Sequence, residues 1–209
     1  MTGVRLLVFG ASGGTGRLVV EGALAAGHRV TAVARHLGDL PAHPGLTLRP
    51  ADVRQARDLA EIASAHDAAI SALGGRARHP AGIYSGGTRA VTEALRTAGV
   101  SRLIAVSSGG VRSDDPGLPL WYRLAIPVFL RELYRDMSVM EDIVRNSSLD
   151  WTLVRSAYLT DGRARGTYRV QDSRNPPGGW RLSRADLAAF LLQQLTDTRW
   201  LGRTPTLAY

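Results

Sequence analysis

Residues 4–16 read Val4-Arg5-Leu6-Leu7-Val8-Phe9-Gly10-Ala11-Ser12-Gly13-Gly14-Thr15-Gly16. A short apolar run of strand type, Val4–Phe9, passes directly into a glycine-rich turn. The turn opens a helical pattern, Thr15–Ala26, that Gly27 closes. Gly10, Gly13 and Gly16 stand three apart. Glycine permits the tight turn, lets backbone N–H groups approach an anion, and removes the β-carbon that would hold the helix away from the strand. The positive end of the helix dipole faces the same turn. The spacing alone is a weak signal. At the first strand–helix junction of an alternating chain it describes a cradle for the pyrophosphate of a dinucleotide, with Ser12, Gly14 and Thr15 completing the turn.

The alternation continues outward from this turn. Strand-type runs at Arg29–Ala34, Leu46–Arg49, Ala68–Leu73, Leu103–Ser107 and Trp151–Val154 are separated by helical patterns at Ala56–Ala65, Ile83–Ala98 and about Leu120–Asn146. Ser183-Arg184-Ala185-Asp186 is a capping box that opens a last helix with Leu187, Phe190, Leu191 and Leu195 as its apolar stripe. Strands and helices at this spacing predict βαβ units with right-handed crossovers. The expected fold is therefore α/β, a Rossmann-like doubly wound parallel sheet covered on both faces. No repeat or linker interrupts residues 1–209, and Asp172–Gly179 is only a loop. One domain is expected, with a helical, aromatic-rich insertion at about 113–147 on the substrate side.

Composition removes much chemistry. The 209 residues carry a formal charge of +8, and all 26 cationic side chains are arginine. Without lysine there is no Schiff-base chemistry and no P-loop lysine. Without cysteine there are no disulfides, thiolate nucleophiles or zinc–thiolate sites. The histidines His28, His36, His43, His66 and His79 show no metal-ligand spacing, so no metal is expected. The arginines are spread along the chain, which argues against nucleic acid as a partner. No secretory signal is read at the N-terminus, and the most apolar later run, Leu118–Leu130, is broken by Arg123 and Pro127 and too short to span a bilayer. The expected setting is cytoplasmic, away from membranes, as a monomer or homodimer.

The end of the second strand selects the dinucleotide. Binders of NAD usually place an acid there to hold the ribose 2′-hydroxyl. Here the sequence is Val33-Ala34-Arg35-His36, with no carboxylate before Asp39. A guanidinium at Arg35 would pair with a 2′-phosphate, with Arg17 assisting, which points to NADP(H). Asp52-Val53 is expected at the adenine. Leu73-Gly74-Gly75 would let the backbone pass close to the cofactor, and Ser107 sits at a strand end where such sheets place ligands.

The GASGGTGR turn, Ala34-Arg35, Ala51-Asp52-Val53, Val106-Ser107-Ser108-Gly109, the segments Leu149–Arg155 and Leu159–Gly162, and Ser183–Asp186 together resemble the atypical short-chain dehydrogenases/reductases. The likeness is to the NAD(P)H-binding, NmrA-like group, nearest its biliverdin-IXβ reductase/flavin reductase branch. It implies a Rossmann fold holding NADPH beside a shallow pocket for a planar acceptor. Ordinary members use Tyr-x-x-x-Lys as acid and cofactor anchor. Here Tyr134 is followed four on by Ser138, the helix lysine near Asp136 or Met137 is missing, and the usual Arg-Pro is Arg155-Ser156. The branch's serine matches Ser108, and its histidine aligns with Tyr158, so these two are the catalytic candidates, with water as the other proton source.

Such a chain suits hydride transfer to flavin or quinone, acceptors that solvent can protonate. Carbonyl reduction asks for a positioned acid. The leading expectation is an NADPH-dependent oxidoreductase acting on a planar, aromatic small molecule, for which Trp121, Tyr122, Phe129 and Tyr134 offer an apolar lid. The alternatives are a non-catalytic NADP(H)-binding redox sensor, or a natural-product tailoring ketoreductase or isomerase. Asp186 reads as part of a helix cap rather than as an acid.

Overall fold

The structure is a computed structural model describing residues 3–38, 40–55, 57–75 and 81–209, with backbone only for 125–128. Asp39, Ala56 and His79, named above, lie outside the described residues. Strand β1 (Arg5–Phe9) leads through the glycine turn into α1 (Gly14–Ala25) and β2 (Arg29–Ala34). There follow β3 (Leu46–Pro50), α2 (Leu59–Ala63), β4 (Ala68–Ser71), α3 (Ile83–Ala98) and β5 (Arg102–Ser108). A 3₁₀ turn at Gly109–Val111 then precedes α4 (Leu120–Phe129), α5 (Arg131–Arg145) and β6 (Asp150–Ser156). The chain ends with β7 (Tyr158–Thr160), β8 (Arg169–Asp172), β9 (Arg181–Ser183), α6 (Arg184–Gln193) and β10 (Pro205–Ala208).

The main sheet has the order β3-β2-β1-β4-β5-β6-β10-β8; only β8 runs antiparallel, against β10. The chain winds from β1 outward to β3, then starts again at β4 on the other side of β1. That reversal leaves a crevice at the carboxyl ends of β1 and β4, where open α/β sheets hold their ligands. Successive residues of β1 explain both covered faces. Leu6 and Val8 pack toward α1 and α6 with Val19, Val20, Leu187 and Leu191, while Leu7 and Phe9 pack toward α3 and α5 with Val91, Leu95, Met140 and Val144.

The doubly wound α/β expectation holds, and most element positions hold with it. The second helix is shorter than its pattern, beginning only at Leu59, and the single helical reading of 120–146 is two helices that meet at Leu130. The three-residue strands β7 and β9, which pair in parallel with each other in a sheet of their own, went unread, as did β8 and β10. Each is four residues or fewer, too short for a two-residue alternation to stand out.

Candidate functional site

A cleft of about 650 Å³ opens over the crevice between β1 and β4. One end is the glycine turn. Gly10 has φ +72° and a β-carbon there would stand 2.4 Å from the Ala72 carbonyl oxygen, while one at Gly16 would stand 2.1 Å from the Gly10 carbonyl oxygen. Both glycines are therefore steric requirements, the first for backbone conformation and the second for helix-to-turn contact. Gly10 N–H donates to Val33 O at 2.9 Å and Gly13 N–H to Gly10 O at 3.0 Å, which fixes the loop. Helix α1 starts with no side-chain cap and no acid in its first turn. Gly10, Ser12, Gly13, Gly14 and Thr15 line the cleft; Gly16 is packing beneath it. Arg17 stands outside the lining, its Nε donating to Glu21 Oε1 at 2.9 Å.

Arg35 and His36 line the cleft at the end of β2, both exposed. No ion pair holds Arg35 among the described residues. Asp52 and Val53 line it too, but the Asp52 carboxylate is engaged: Arg54 donates from its backbone N–H, Nε and Nη2 at 3.0, 3.3 and 3.0 Å. Those hydrogen bonds hold the carboxyl below its usual range. Leu73 and Gly74 form the next stretch of wall, followed by Ile83 and Tyr84 from α3. The Tyr84 hydroxyl accepts from Gly75 N–H at 3.3 Å, and burial pushes its pKa up. The first turn of α3 is capped from another helix, since Asp136 of α5 accepts from the N–H groups of Tyr84 and Ser85 at 3.1 Å each and from the Ser85 hydroxyl.

Ser107 and Ser108 lie side by side at the end of β5 and have different partners, because neighbouring strand residues face opposite sides of the sheet. Ser107 is buried and its hydroxyl donates to Glu141 Oε1 at 2.7 Å. Glu141, 1% exposed, also receives Arg155 Nε at 2.8 Å, Arg155 Nη2 at 2.6 Å and Arg145 Nη2 at 2.7 Å. Burial alone would raise the Glu141 pKa; Arg155, Ser107 and Arg145 outweigh it and hold the carboxyl below its usual value. This buried knot fastens α5 to β5 and β6 behind the cleft. Ser108 faces the other way, half-buried at the cleft, with its oxygen accepting from Gly110 N–H at 3.2 Å. A hydroxyl that accepts still has a proton to give.

Two phenols face the cleft from the helices between β5 and β6. The hydroxyls of Tyr122 and Tyr134 lie 3.1 Å apart, and Tyr134 packs so closely on Gly110 that a β-carbon there would stand 2.3 Å from its oxygen. Burial and the Tyr134 partner push the Tyr122 pKa up, which keeps Tyr122 a neutral hydrogen-bonding group. Above them, Tyr158, 61% exposed, stacks on Trp180 with ring centres 6.4 Å apart; Trp180 meets Trp121 edge-on at 6.1 Å, and Trp121, 57% exposed, meets Tyr122 at 5.5 Å. Tyr84 and Trp180 were not singled out in the sequence, since elements far apart in the chain bring them here. Asp186 is the expected cap: its backbone N–H donates to Ser183 Oγ at 3.0 Å, and its carboxylate accepts from the N–H groups of Arg165 and Gly166 at 2.9 Å. Among the described residues no group of three or more His, Asp or Glu could hold a metal, and no helix is long and apolar enough to cross a membrane.

Residues 10–198 match the family model for NAD(P)H-binding proteins. The chain belongs to this NAD(P)H-binding family. It is 25% identical over 207 residues to the UPF0659 protein YMR090W of Saccharomyces cerevisiae, covering 93% of this chain and 88% of that one. Among solved structures it is similar to ChuY, an anaerobillin reductase from Escherichia coli O157:H7, at 26% identity and TM-score 0.78 over 98% of this chain and 96% of that one. It shares its fold, at 16% identity and TM-score 0.80, with a short-chain dehydrogenase/reductase from Veillonella parvula in complex with NADP, covering 99% and 94% of the two chains. In this NAD(P)H-binding chain the residues present suit the family's cofactor. Two positions of the turn tolerate no β-carbon, the helix behind it has no side-chain cap at its start, and the exposed Arg35 lines the cleft just after β2.

Proposed function

We propose that the protein is an NADPH-dependent reductase that passes hydride to a planar conjugated acceptor of the flavin or quinone type. The observation that carries this reading is the cleft itself, which runs from the glycine turn and Arg35 to an aromatic wall at the carboxyl end of β5. The nicotinamide cofactor supplies the hydride when bound. The turn at Gly10–Gly16 would hold its pyrophosphate through backbone N–H groups, and Arg35 would hold the 2′-phosphate with its two-pronged guanidinium. Tyr158, Trp180 and Trp121 offer ring faces and edges for a flat acceptor, orient it, and shed water from one side.

The absence of lysine then narrows the acceptor. A ketone accepting hydride develops a localised alkoxide and asks for a strong, positioned acid. A flavin or quinone spreads the arriving charge over its ring system, and a hydroxyl or solvent can complete the protonation. Ser108 keeps a proton at the cleft, and the Tyr122–Tyr134 pair stands near it through Gly110. The likeness to ChuY adds an anaerobillin-type acceptor to those worth testing. Oxidation of NADPH and NADH should be followed against flavins, quinones, an anaerobillin-type acceptor and aromatic ketones. Turnover of the extended ring systems, with NADPH preferred and ketones inert, is expected. Tight NADPH binding with no turnover of any acceptor would overturn the reading.

A further inference from the structure

Arg35 and Arg184 are the two arginines among the described residues that line the cleft. The first sits where a 2′-phosphate is expected; the second has no role in the reading above. Arg184 is the first residue of α6, held there by the Ser183 cap. Its side chain lies across the glycine turn: a β-carbon at Gly14 would stand 2.9 Å from Arg184 Cδ and 3.0 Å from Nε. Gly14 is the first residue of α1, so a guanidinium is packed against the positive end of a helix dipole. Two like-signed features held in contact lose free energy unless an anion lies with them. The anion at hand is Asp161, whose Oδ1 accepts from Arg184 Nη1 at 2.7 Å. Asp161 is 93% exposed against 29% for Arg184, so water and salt screen this pair and little binds the guanidinium to it.

The surroundings are rigid where rigidity would matter. Asp186, the third residue of α6, fastens the loop after β7 through Arg165 and Gly166 N–H, and it accepts from the Tyr209 hydroxyl at 2.5 Å. The helix start that presents Arg184 is therefore fixed, while the carboxylate it pairs with is almost wholly solvated.

We propose that Arg184 is a second phosphate-binding group of the cleft, its guanidinium exchanging the exposed Asp161 for the pyrophosphate of the bound dinucleotide. This rests on the dinucleotide reading of the Gly10–Gly16 turn. It also divides labour between the two arginines. The pyrophosphate is common to NADPH and NADH, so Arg184 adds affinity without choosing between them. Arg35, at the 2′-position, chooses.

The test is equilibrium binding of NADPH, NADH and adenosine 2′-monophosphate, which lacks a pyrophosphate, to the parent chain and to Arg184→Gln and Asp161→Asn, at two ionic strengths. Charge-assisted hydrogen bonds to a phosphate are strong enough that Arg184→Gln should weaken both dinucleotides by the same factor, about tenfold or more. It should leave adenosine 2′-monophosphate unchanged, which also shows that the variant is folded, and it should flatten the salt dependence of dinucleotide binding. Asp161→Asn, which removes the competing carboxylate, should bind both dinucleotides as well as the parent or up to about fivefold more tightly. Unchanged dinucleotide binding by Arg184→Gln, an equal loss of adenosine 2′-monophosphate, or weaker binding by Asp161→Asn would overturn the proposal. A parent chain that binds neither dinucleotide would overturn the cleft reading itself, and this inference with it.

Discussion

Replacing Arg155 by Met should expose how much the buried charge knot behind the cleft holds up. Arg155 gives Glu141 two hydrogen bonds, at 2.8 and 2.6 Å, and both side chains are almost wholly buried. Methionine fills similar space, so the loss is one of charge compensation rather than of volume. Removing one partner of a buried ion pair costs about 3–5 kcal/mol. Glu141 would keep Arg145 Nη2 and the Ser107 hydroxyl, each at 2.7 Å, which places the expected loss near the lower end, about 3 kcal/mol. For a chain of this size that is a fall in melting temperature of roughly 6–12 °C at neutral pH. Urea and thermal unfolding would measure it. The double variant Glu141→Leu/Arg155→Met removes the stranded charge and should recover most of the loss. A single-variant loss under about 1 kcal/mol, or a double variant no better than the single, would refute the claim that an uncompensated carboxylate is what hurts. The pH dependence carries the same sign. The folded-state pKa of Glu141 is depressed, so its contribution is fully present above the unfolded carboxylate value, about 4.3, and is lost as pH falls through the lower folded value. In Arg155→Met the burial effect is less opposed, and acid sensitivity should begin at higher pH.

Other outcomes are expected. Arg35→Glu should weaken NADPH at least about tenfold more than NADH, since it puts a carboxylate where a 2′-phosphate is expected; equal effects in a binding titration would make Arg35 incidental. Gly10→Ala should destabilise the fold and abolish dinucleotide binding together, because it combines φ +72° with a 2.4 Å approach to the Ala72 carbonyl oxygen, and a folded variant that still binds would contradict this. Trp180→Ala removes the face on which Tyr158 stacks and should raise the KM for a planar acceptor while leaving the Kd of NADPH unchanged.

What the sequence made legible was local. The glycine turn, Arg35 at a strand end and the Ser183–Asp186 cap are each decided within a few residues, and the structure keeps all three in the expected places. The rest depends on distant pairings. Ser107 and Ser108 look alike in the chain, yet strand alternation sends one hydroxyl to Glu141 and leaves the other at the cleft. Trp180 follows a loop of prolines and glycines and comes to stack on Tyr158, at the edge of the cleft, because β9 pairs with β7. Arg184 looked like one letter of a capping box, and its position over Gly14 follows from the packing of α6 on α1. Arg17 shows the converse: next to the turn in sequence, it points along α1 to Glu21.

Asp136 has a consequence for how the cleft can open. It belongs to α5, yet it closes the first turn of α3, and both helices contribute to the cleft wall. Swinging α5 outward would strip the partners from two backbone N–H groups and a hydroxyl at once. The two helices are therefore tied together as one jamb. The neighbouring α4 joins this jamb through the Tyr122–Tyr134 hydroxyl pair and carries Trp121 out into water, so swinging α4 away would first part those two hydroxyls.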